Sequence, residues 1–434
     1  MFGYVDARVI RPLAENQVLL MLCTTTMVVM MGFGIISPVL PLYAQSFGVG
    51  TAMIGLTITV FGLARLLANL PAGFLSERYG RRLLLVGGPA ITAVASLAGG
   101  LAPNFGLLLA SRFVAGAGSA AYMTGAMILL TDITTDENRG RMMSIYQGSL
   151  LAGVSLGPGV GGFVAEAFGL AAPFYLVAVL AALATVWSFA RIRETVGEAH
   201  EAQAAHDRAD GERPARASPV GSVRGNVFAL LKRPDFLLVC MLTMSIFLTR
   251  TGGRLTLLPL VGENRLGMSP AALGLVFTMM TVLQMIVLAP TGTAIDRIGR
   301  KAVIVPSALI TGAALIFFAL AGEVWMFVMA GLIHGIGTGI VGPAPAAYAA
   351  DIAPPGMRGI TMGLFRTFGD LGFVIGPVAL GALADLTTFG TALTVDAAII
   401  IVFALLFAAF AKETLRRPLA VQPTEPKEAF DATR

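Results

Sequence analysis

Long apolar runs separated by short polar stretches recur along the whole chain. A helix needs about 20 apolar residues to cross the hydrocarbon core of a bilayer, and the sequence offers twelve such runs. The pattern therefore predicts twelve membrane-spanning helices, whose many Gly and Pro residues are tolerated better in lipid than in water. The predicted ranges are 18–43, 52–75, 83–101, 106–130, 142–164, 171–190, 236–260, 271–294, 302–321, 325–349, 360–383 and 391–411.

The second half of the chain repeats the first at an offset of 219 residues. The matching residues are Gly73 and Gly292, Arg78 and Arg297, Gly80 and Gly299, Arg81 and Arg300, Asp132 and Asp351, Arg139 and Arg358, and Gly157-Pro158 and Gly376-Pro377. Each half holds six predicted crossings, so the halves have the same orientation and are related by an axis along the membrane normal. We expect an all-α integral membrane protein with twelve transmembrane helices in two pseudo-symmetric six-helix bundles, and a substrate path between them.

The repeat and the polar stretches together predict four segments. Residues 1–190 form the first bundle, 191–235 a linker, 236–411 the second bundle and 412–434 a tail. The linker and the tail mix charges of both signs with small residues, so we expect the linker to about Asn226 and the chain after Lys412 to be disordered. Neither segment leaves room for a soluble catalytic domain.

Composition agrees with a lipid environment and removes other classes of protein. Hydrophobic residues make up 56% of the chain and charged residues 13%, whereas a soluble domain has about 25% charged residues. Both cysteines, Cys23 and Cys240, lie in apolar runs, which excludes a disulfide framework and argues against a cysteine metal site. We expect neither a metal nor a cofactor.

The basic residues predict the orientation of the chain. Of the 30 Lys and Arg residues, 24 fall in the tails, the linker and the loops on the N-terminal side, and one, Arg265, falls on the opposite side. Because basic loops stay in the cytoplasm, both termini are predicted to be cytoplasmic. This topology also explains the sequence pI of about 9.5, so no nucleic-acid partner is expected.

Two loops between predicted spans carry the same arrangement of glycine, acid and arginine. The residues are Gly73, Glu77, Arg78, Gly80 and Arg81 in the first loop, and Gly292, Asp296, Arg297, Gly299 and Arg300 in the second. They resemble the G-x3-D-R/K-x-G-R-R/K loop of the major facilitator superfamily of secondary transporters, although Glu77 stands where the pattern has Asp. The resemblance implies that the loops latch the cytoplasmic ends of the two halves during transport. The alternative is that the arginines anchor the topology and do nothing more.

Two further motifs extend this resemblance to the drug:proton antiporters with twelve spans. Span five contains Gly153, Gly157, Pro158, Gly161 and Gly162, which resembles the antiporter motif G-x3-G-P-x2-G-G and permits close contact with another helix. Arg112 in span four opens a segment similar to the motif R-x3-G-x-G. In the family this arginine is associated with proton coupling; alternatively, Arg112 extends to the interface.

Ionised groups inside a bilayer cost about 2.5–3.5 kcal/mol on insertion scales, so each one is a candidate functional residue. Asp370 and His334 lie near the predicted midplane, and Arg366 is one turn from Asp370. We expect Asp370, Arg112 and His334 to be the candidates for proton coupling. The alternatives are a static ion pair of Asp370 with Arg366 or Arg254, and a neutral His334 bonded to a carbonyl.

Arginines in the predicted spans outnumber the acids identified there. Arg250 and Arg254 lie on one face of span seven, four residues apart, where like charges repel; Asp370, another carboxylate, a lipid phosphate or the substrate could satisfy them. The other candidate cavity residues are Arg65, Asn69, Gln147, Gln284 and Arg366. Counting five arginines against one deep acid favours a neutral or anionic amphipathic substrate.

Together the residues and the resemblance predict a secondary active transporter of the inner membrane. We expect proton-coupled efflux of a small amphipathic or drug-like molecule by alternating access, carried out by a monomer, with protons and the bilayer as the other partners. The alternatives are proton-coupled uptake of an organic anion or metabolite and, more remotely, a non-transporting sensor. No catalytic set of residues is present, so an enzyme is not expected, and no G-x4-G-K-[ST] loop indicates an ATP-driven pump.

Overall fold

A computed structural model describes residues 17–135, 138–191, 230–354 and 357–414. Within these ranges twelve helices are long and apolar enough to cross a membrane, which confirms the predicted number. The first six spans are Gln17–Ile36, Thr51–Tyr79, Arg81–Gly100, Phe105–Asp132, Arg139–Phe168 and Ala172–Arg191. The last six are Pro234–Leu266, Pro270–Ile298, Arg300–Leu320, Val324–Asp351, Arg358–Leu386 and Phe389–Phe410. The chain is therefore an all-α, multi-pass membrane protein.

The offset of 219 residues also relates the helix boundaries. Span two covers Thr51–Tyr79, and span eight covers the equivalent residues, Pro270–Ile298. Each of these helices ends at a single glycine before the next span begins, Gly80 with φ 89° and Gly299 with φ 109°. A positive φ at a one-residue turn is the conformation for which glycine is suited, so the glycines in both predicted loops have the same structural role.

Two spans of the second half depart from their counterparts in the first. Span seven changes from α-helix to π-helix over Thr249–Leu257 and then continues as α-helix to Leu266. Span ten is interrupted after Val341 by Gly342, whose φ is 36°, whereas span four is continuous. Glycines and prolines allow such breaks because they weaken or remove helical hydrogen bonds. π-Helical segments frequently occur at functional sites.

The two halves meet along two seams, span two against span eleven and span five against span eight. Glycines permit the close approach: a Cβ on Gly55 would collide with the carbonyl oxygen of Pro377, and a Cβ on Gly162 would collide with that of Pro270. Within the first half, a Cβ on Gly157 would lie 2.5 Å from Cα of Gly34. The glycines of span five therefore serve close helix contacts, as the spacing predicted.

Both ends of the described chain lie at one face of the protein, which we call the terminal face. Hydrogen bonds across the seams are concentrated at the other face, which we call the opposite face. The carboxylate of Asp385 accepts hydrogen bonds from the backbone N–H groups of Thr51 (2.8 Å) and Ala52 (2.9 Å). The carboxylate of Glu166 accepts one from Ala271 N–H (3.0 Å). These two contacts are equivalent under the repeat and close the protein at this face.

The side chains of Gln45 and Asn264 form a further contact at the opposite face. Gln45 Nε2 donates to Asn264 Oδ1 at 3.2 Å, and the two residues are themselves 219 positions apart. Their hydrogen bond thus lies at the pseudo-twofold axis. Deeper bonds join Thr59 to Val374 and Gly159 to Thr278.

Most of the predicted linker and tail, 192–229 and 415–434, lies outside the described residues, so their predicted disorder stays a prediction. The start of the tail differs from the expectation of disorder after Lys412. The carboxylate of Glu413 accepts hydrogen bonds from the N–H groups of Arg300 (2.9 Å) and Lys301 (3.0 Å), and Thr414 donates to Asp351 (2.9 Å). An acidic group is stabilised at a helix N-terminus by its partial positive charge, so this segment is attached to the beginning of span nine.

Candidate functional site

A central cavity of about 560 Å³ lies between the two halves. Its walls come from spans one, two, four and five of the first half and from spans seven, ten and eleven of the second. The predicted site residues that line this cavity are Arg65, Asn69, Arg250, Arg366 and Asp370. The structure therefore brings five separate sequence candidates together, surrounded by apolar side chains such as Phe33, Phe247 and Phe365.

Asp370 is half-buried at the wall of this cavity, and it faces a predominantly positive surrounding. Arg366 lies one turn away on the same helix, and Arg65 approaches from span two. Among the described residues neither arginine forms an ion pair or hydrogen bond with Asp370. The static pairing considered from the sequence is thus not formed, and the Asp370 carboxyl is available to the cavity.

A second, smaller pocket of about 170 Å³ lies inside the second half. Its polar lining comes from span seven (Thr249, Arg250, Arg254), span eight (Gln284), span nine (Ser307, Thr311) and span ten (His334, Thr338). Arg254 is 8% exposed; its Nη1 donates to Oε1 of Gln284 at 3.3 Å, while its Nε has no partner among the described residues. We call this space the span-seven pocket.

His334 is 1% exposed, and it also lines the span-seven pocket. Neither ring nitrogen has a hydrogen-bond partner among the described residues. The bond to a carbonyl that the alternative reading of His334 requires is therefore not formed among these residues. The ring packs edge-on towards Phe318, with 6.4 Å between the centroids.

Asp396 is a deep acid that the sequence analysis missed. It is fully buried in span twelve, where its Oδ1 accepts a hydrogen bond from the Thr249 hydroxyl at 2.6 Å and its Oδ2 has no partner. The count of one deep acid is corrected to at least two among the described residues. The signal was available as a lone Asp inside the predicted run 391–411.

The carboxyl of Asp396 occupies space that glycine leaves free. A Cβ on Gly253 would collide with Oδ2 of Asp396, so this approach depends on the glycine pair of the π-helical segment. The other glycine of the pair, Gly252, permits a close approach to the backbone of Gly376 in span eleven. Asp396 itself lies behind Thr249 and is not part of the pocket wall.

Arg112 lies apart from both cavities, in the interior of the first half. It is 6% exposed, its guanidinium carbon lies 4.7 Å from the centroid of the Phe61 ring, and its Nε has no partner. Arg112 therefore does not extend to the interface, and a cation–π contact replaces an anionic partner. Gln147, another predicted cavity residue, is exposed and lines neither cavity.

The arginines of the two repeated loops form equivalent ion pairs. Arg81 Nε lies 2.9 Å from Asp132 Oδ2, and Arg300 Nε lies 3.0 Å from Asp351 Oδ2. Both pairs are contained within one half, while Arg78 and Arg297 are exposed. The side chains of Glu77 and Asp296 lie outside what the structure describes. A latch between the two halves thus stays a prediction.

These features define a helical membrane transporter with a cavity between two repeated halves. The sequence profile of the Major Facilitator Superfamily matches residues 22–269 and again residues 253–432. The chain belongs to this superfamily, which is a class of transporters and not of enzymes, and the family implies a small-molecule substrate.

The most similar curated relatives include two resistance proteins. The chain is 24% identical over 378 residues to Multidrug resistance protein 2 of Bacillus subtilis, with 86% of this chain and 90% of the relative covered. It is 24% identical over 373 residues to Quinolone resistance protein NorA of Staphylococcus aureus, with 85% and 90% covered.

The comparison with solved structures supports the same fold. The nucleoside transporter NupG superimposes with a TM-score of 0.72 at 15% identity, covering 91% of this chain and 99% of that structure. At such an identity the similarity concerns the architecture alone.

Proposed function

We propose that the chain is a proton-coupled exporter of small amphipathic molecules. It acts as a monomer in the inner membrane with both termini in the cytoplasm, and it alternates between states in which the central cavity opens to one side or the other. The single observation that carries the proposal is the half-buried, unpaired carboxyl of Asp370 at the wall of a cavity between two repeated halves.

The state of the cavity supports loading from the cytoplasm. The hydrogen bonds between the halves lie towards the opposite face, at Asp385, Glu166 and Gln45. With the terminal face in the cytoplasm, as the basic residues predict, these contacts hold the two halves together on the outer side, which favours access from the inside. The names of the two resistance proteins support export over import.

Asp370 supplies the simplest means of coupling. A carboxyl that shares a cavity with the substrate can be occupied by a proton or interact with the substrate, and exchange between the two links their opposite movements. Arg65 and Arg366 face the same space, so the charge of the cavity changes when Asp370 binds or releases a proton. Return of the protonated state then carries the proton inward.

The test is a measurement of substrate-dependent proton movement in proteoliposomes with a trapped pH dye. Norfloxacin, ethidium and 1-naphthoate are added in turn to wild type, to Asp370→Asn and to Glu323→Gln, which removes an exposed carboxyl outside the cavity. We expect at least one probe to move protons in wild type and in Glu323→Gln, with the coupled proton flux reduced about tenfold or more in Asp370→Asn. Normal coupling in Asp370→Asn would show that Asp370 is structural.

A second candidate is uptake of an organic anion together with protons. The surplus of guanidinium groups at the cavity, Arg65, Arg250 and Arg366 against Asp370, favours this substrate class. The two functions differ in the direction of proton flow that accompanies substrate. An inward proton flux that drives substrate outward supports export, whereas movement of both in the same direction supports uptake.

A further inference from the structure

The span-seven pocket lies where the second half departs from the repeat. The π-helical segment Thr249–Leu257 forms one wall, and the break at Gly342 forms another. The positions equivalent to Thr249, Arg250, Arg254 and His334 in the first half are Met30, Met31, Ile35 and Ala115. These polar side chains and the altered helix geometry therefore occur together, in the second half of the protein.

The pocket contains positive charge without a matching negative charge. Arg254 is almost fully buried, and Gln284, its described hydrogen-bond partner, is a neutral amide. Arg250 adds a second guanidinium, and no carboxyl group stands among the described lining residues. A buried cation is unfavourable unless it is paired and hydrogen-bonded, so the site is complementary to an anion.

Two side chains in the pocket have free donors for such an anion, whereas the hydroxyl groups do not. The hydroxyl groups of Ser307, Thr311 and Thr338 donate to backbone carbonyls of Gly337, Ser307 and His334, respectively. Their protons are therefore already engaged. The ring N–H of His334 and the Nε–H of Arg254 have no acceptor among the described residues. Two unengaged donors from different helices thus line one small space.

The span-seven pocket adjoins the central cavity, because Phe247 and Arg250 line both. Its volume of about 170 Å³ suits a head group, whereas the central cavity of about 560 Å³ offers a larger and more apolar space. A molecule with an anionic group at one end and an apolar body at the other matches this arrangement. The site is also enclosed by helices of the second half, which disfavours a lipid phosphate.

We propose that the span-seven pocket binds the carboxylate of an amphipathic organic anion, whose apolar part occupies the central cavity. Arg254 provides a charge-assisted hydrogen bond, and His334 donates a second one from its ring nitrogen. The inference rests on the proposed transport function, since it names the class of substrate that this transporter carries. It does not depend on the direction of transport or on proton coupling.

The test is equilibrium binding to the full-length protein in phosphatidylcholine nanodiscs. Three probes share one apolar body and differ in charge: 1-naphthoate, 1-naphthalenemethanol and 1-naphthylmethylamine. For wild type we expect naphthoate to bind at least tenfold more tightly than the other two. Arg254→Gln should weaken naphthoate binding on the order of 10- to 100-fold, the range for loss of a hydrogen bond to a charged group.

If the neutral probe binds Arg254→Gln as tightly as wild type, the cavity is intact. A folding defect would instead weaken the binding of all three probes. His334→Leu should weaken naphthoate binding about tenfold, and the matched control Arg265→Gln should leave it unchanged, because Arg265 donates to Ala319 O outside both cavities. Arg254→Lys should recover part of the affinity, since a point charge replaces the planar fork.

Three outcomes would overturn the proposal. The first is tighter binding of the amine than of naphthoate, and the second is equal loss of all three probes in Arg254→Gln. The third is displacement of naphthoate by phosphatidylglycerol in the nanodisc, which would assign the pocket to a lipid phosphate. These outcomes are distinguishable from failure of the proposed function. An exporter of cations would still move protons in the proteoliposome experiment, and only the anion site would be refuted. A protein that binds naphthoate without moving protons would keep the anion site, and only proton coupling would be refuted.

Discussion

In the first half of the protein, span one is an α-helix from Gln17 to Ile36, whereas its counterpart in the second half becomes π-helical at Thr249. The same contrast extends to the deep acids. The positions equivalent to Asp370 and Asp396 are Leu151 and Val177 in the first half. Both described carboxyls in the middle of the spans thus belong to the second half, and so does the span-seven pocket.

Elsewhere the two halves carry the same interactions. Asp385 and Glu166 bind equivalent helix N-termini across the seams, and the ion pairs of Arg81 and Arg300 are also equivalent. The shared contacts hold the body together and join its halves. The candidate residues of the central cavity are not repeated: Arg65 and Asn69 of the first half and Asp370 of the second have Gln284, Leu288 and Leu151 as their repeat partners.

The sharpest test of this comparison replaces Asp396 with valine, the residue type at the equivalent position of the first half. Asp396→Val should reduce coupled transport about tenfold or more, because an acid held deep in a span is expected to be functional. The midpoint of thermal unfolding should stay the same or rise, since replacing a buried polar group with an apolar one is often neutral or stabilising. Transport by proteoliposomes and thermal unfolding in detergent measure the two effects.

Val177→Ala is the control for Asp396→Val at the equivalent position. It truncates a buried apolar side chain that is 3% exposed, so it should lower the unfolding midpoint and leave the transport rate unchanged. If Asp396→Val transported at the wild-type rate, the buried pair of Asp396 and Thr249 would be structural. Asp370 would then be the one acid of this pair that still distinguishes the halves in function.

A smaller effect is expected where the halves are alike. Asp385→Asn and Glu166→Gln each remove a charge from a helix N-terminus, which costs about 1 kcal/mol and raises the population open at the opposite face about fivefold. Because the contacts are separate, the double variant should add the two effects. The measurement is the alkylation rate of Gln45→Cys by an impermeant maleimide, since both native cysteines are buried. Unequal effects of the two variants would show that the two seams do not contribute equally to closing the opposite face.

The smallest effect concerns the ion pairs at the terminal face. Arg81→Gln should lower the free energy of unfolding by about 0.2–1 kcal/mol, as expected for a partly exposed pair. Arg300→Gln should lower it more, because Arg300 Nη1 also donates to Ile295 O at 3.1 Å. Thermal unfolding midpoints of both variants measure the difference, and equal costs in both halves would show that this additional hydrogen bond adds no stability.

Periodicity and repetition predicted most of the fold. Apolar length alone placed all twelve spans, because the bilayer imposes that length, and the offset of 219 predicted the paired glycine turns at Gly80 and Gly299. The π-helical segment was not predicted. Within it Gly253 packs against the distant residue Asp396, a contact that no local pattern contains.

The site was predicted less completely than the fold. Arg65, Asn69, Arg250, Arg366 and Asp370 do meet in the central cavity, since depth within a span is readable from the sequence. Which face of a helix points inward depends on packing, and this explains why Gln147 and Arg112 lie elsewhere. Asp396 was missed, although charge within an apolar run was the same signal that identified Asp370.

The amide pair at the pseudo-twofold axis has a consequence for the history of the chain. If two separate six-helix chains once associated as a symmetric dimer, a residue on the axis would have met its own copy, as in any isologous interface. A carboxylate or an ammonium group would then repel itself, whereas an amide both donates and accepts and is self-complementary. Gln45 and Asn264 still satisfy that condition, so fusion of the two copies could occur without redesign of this contact.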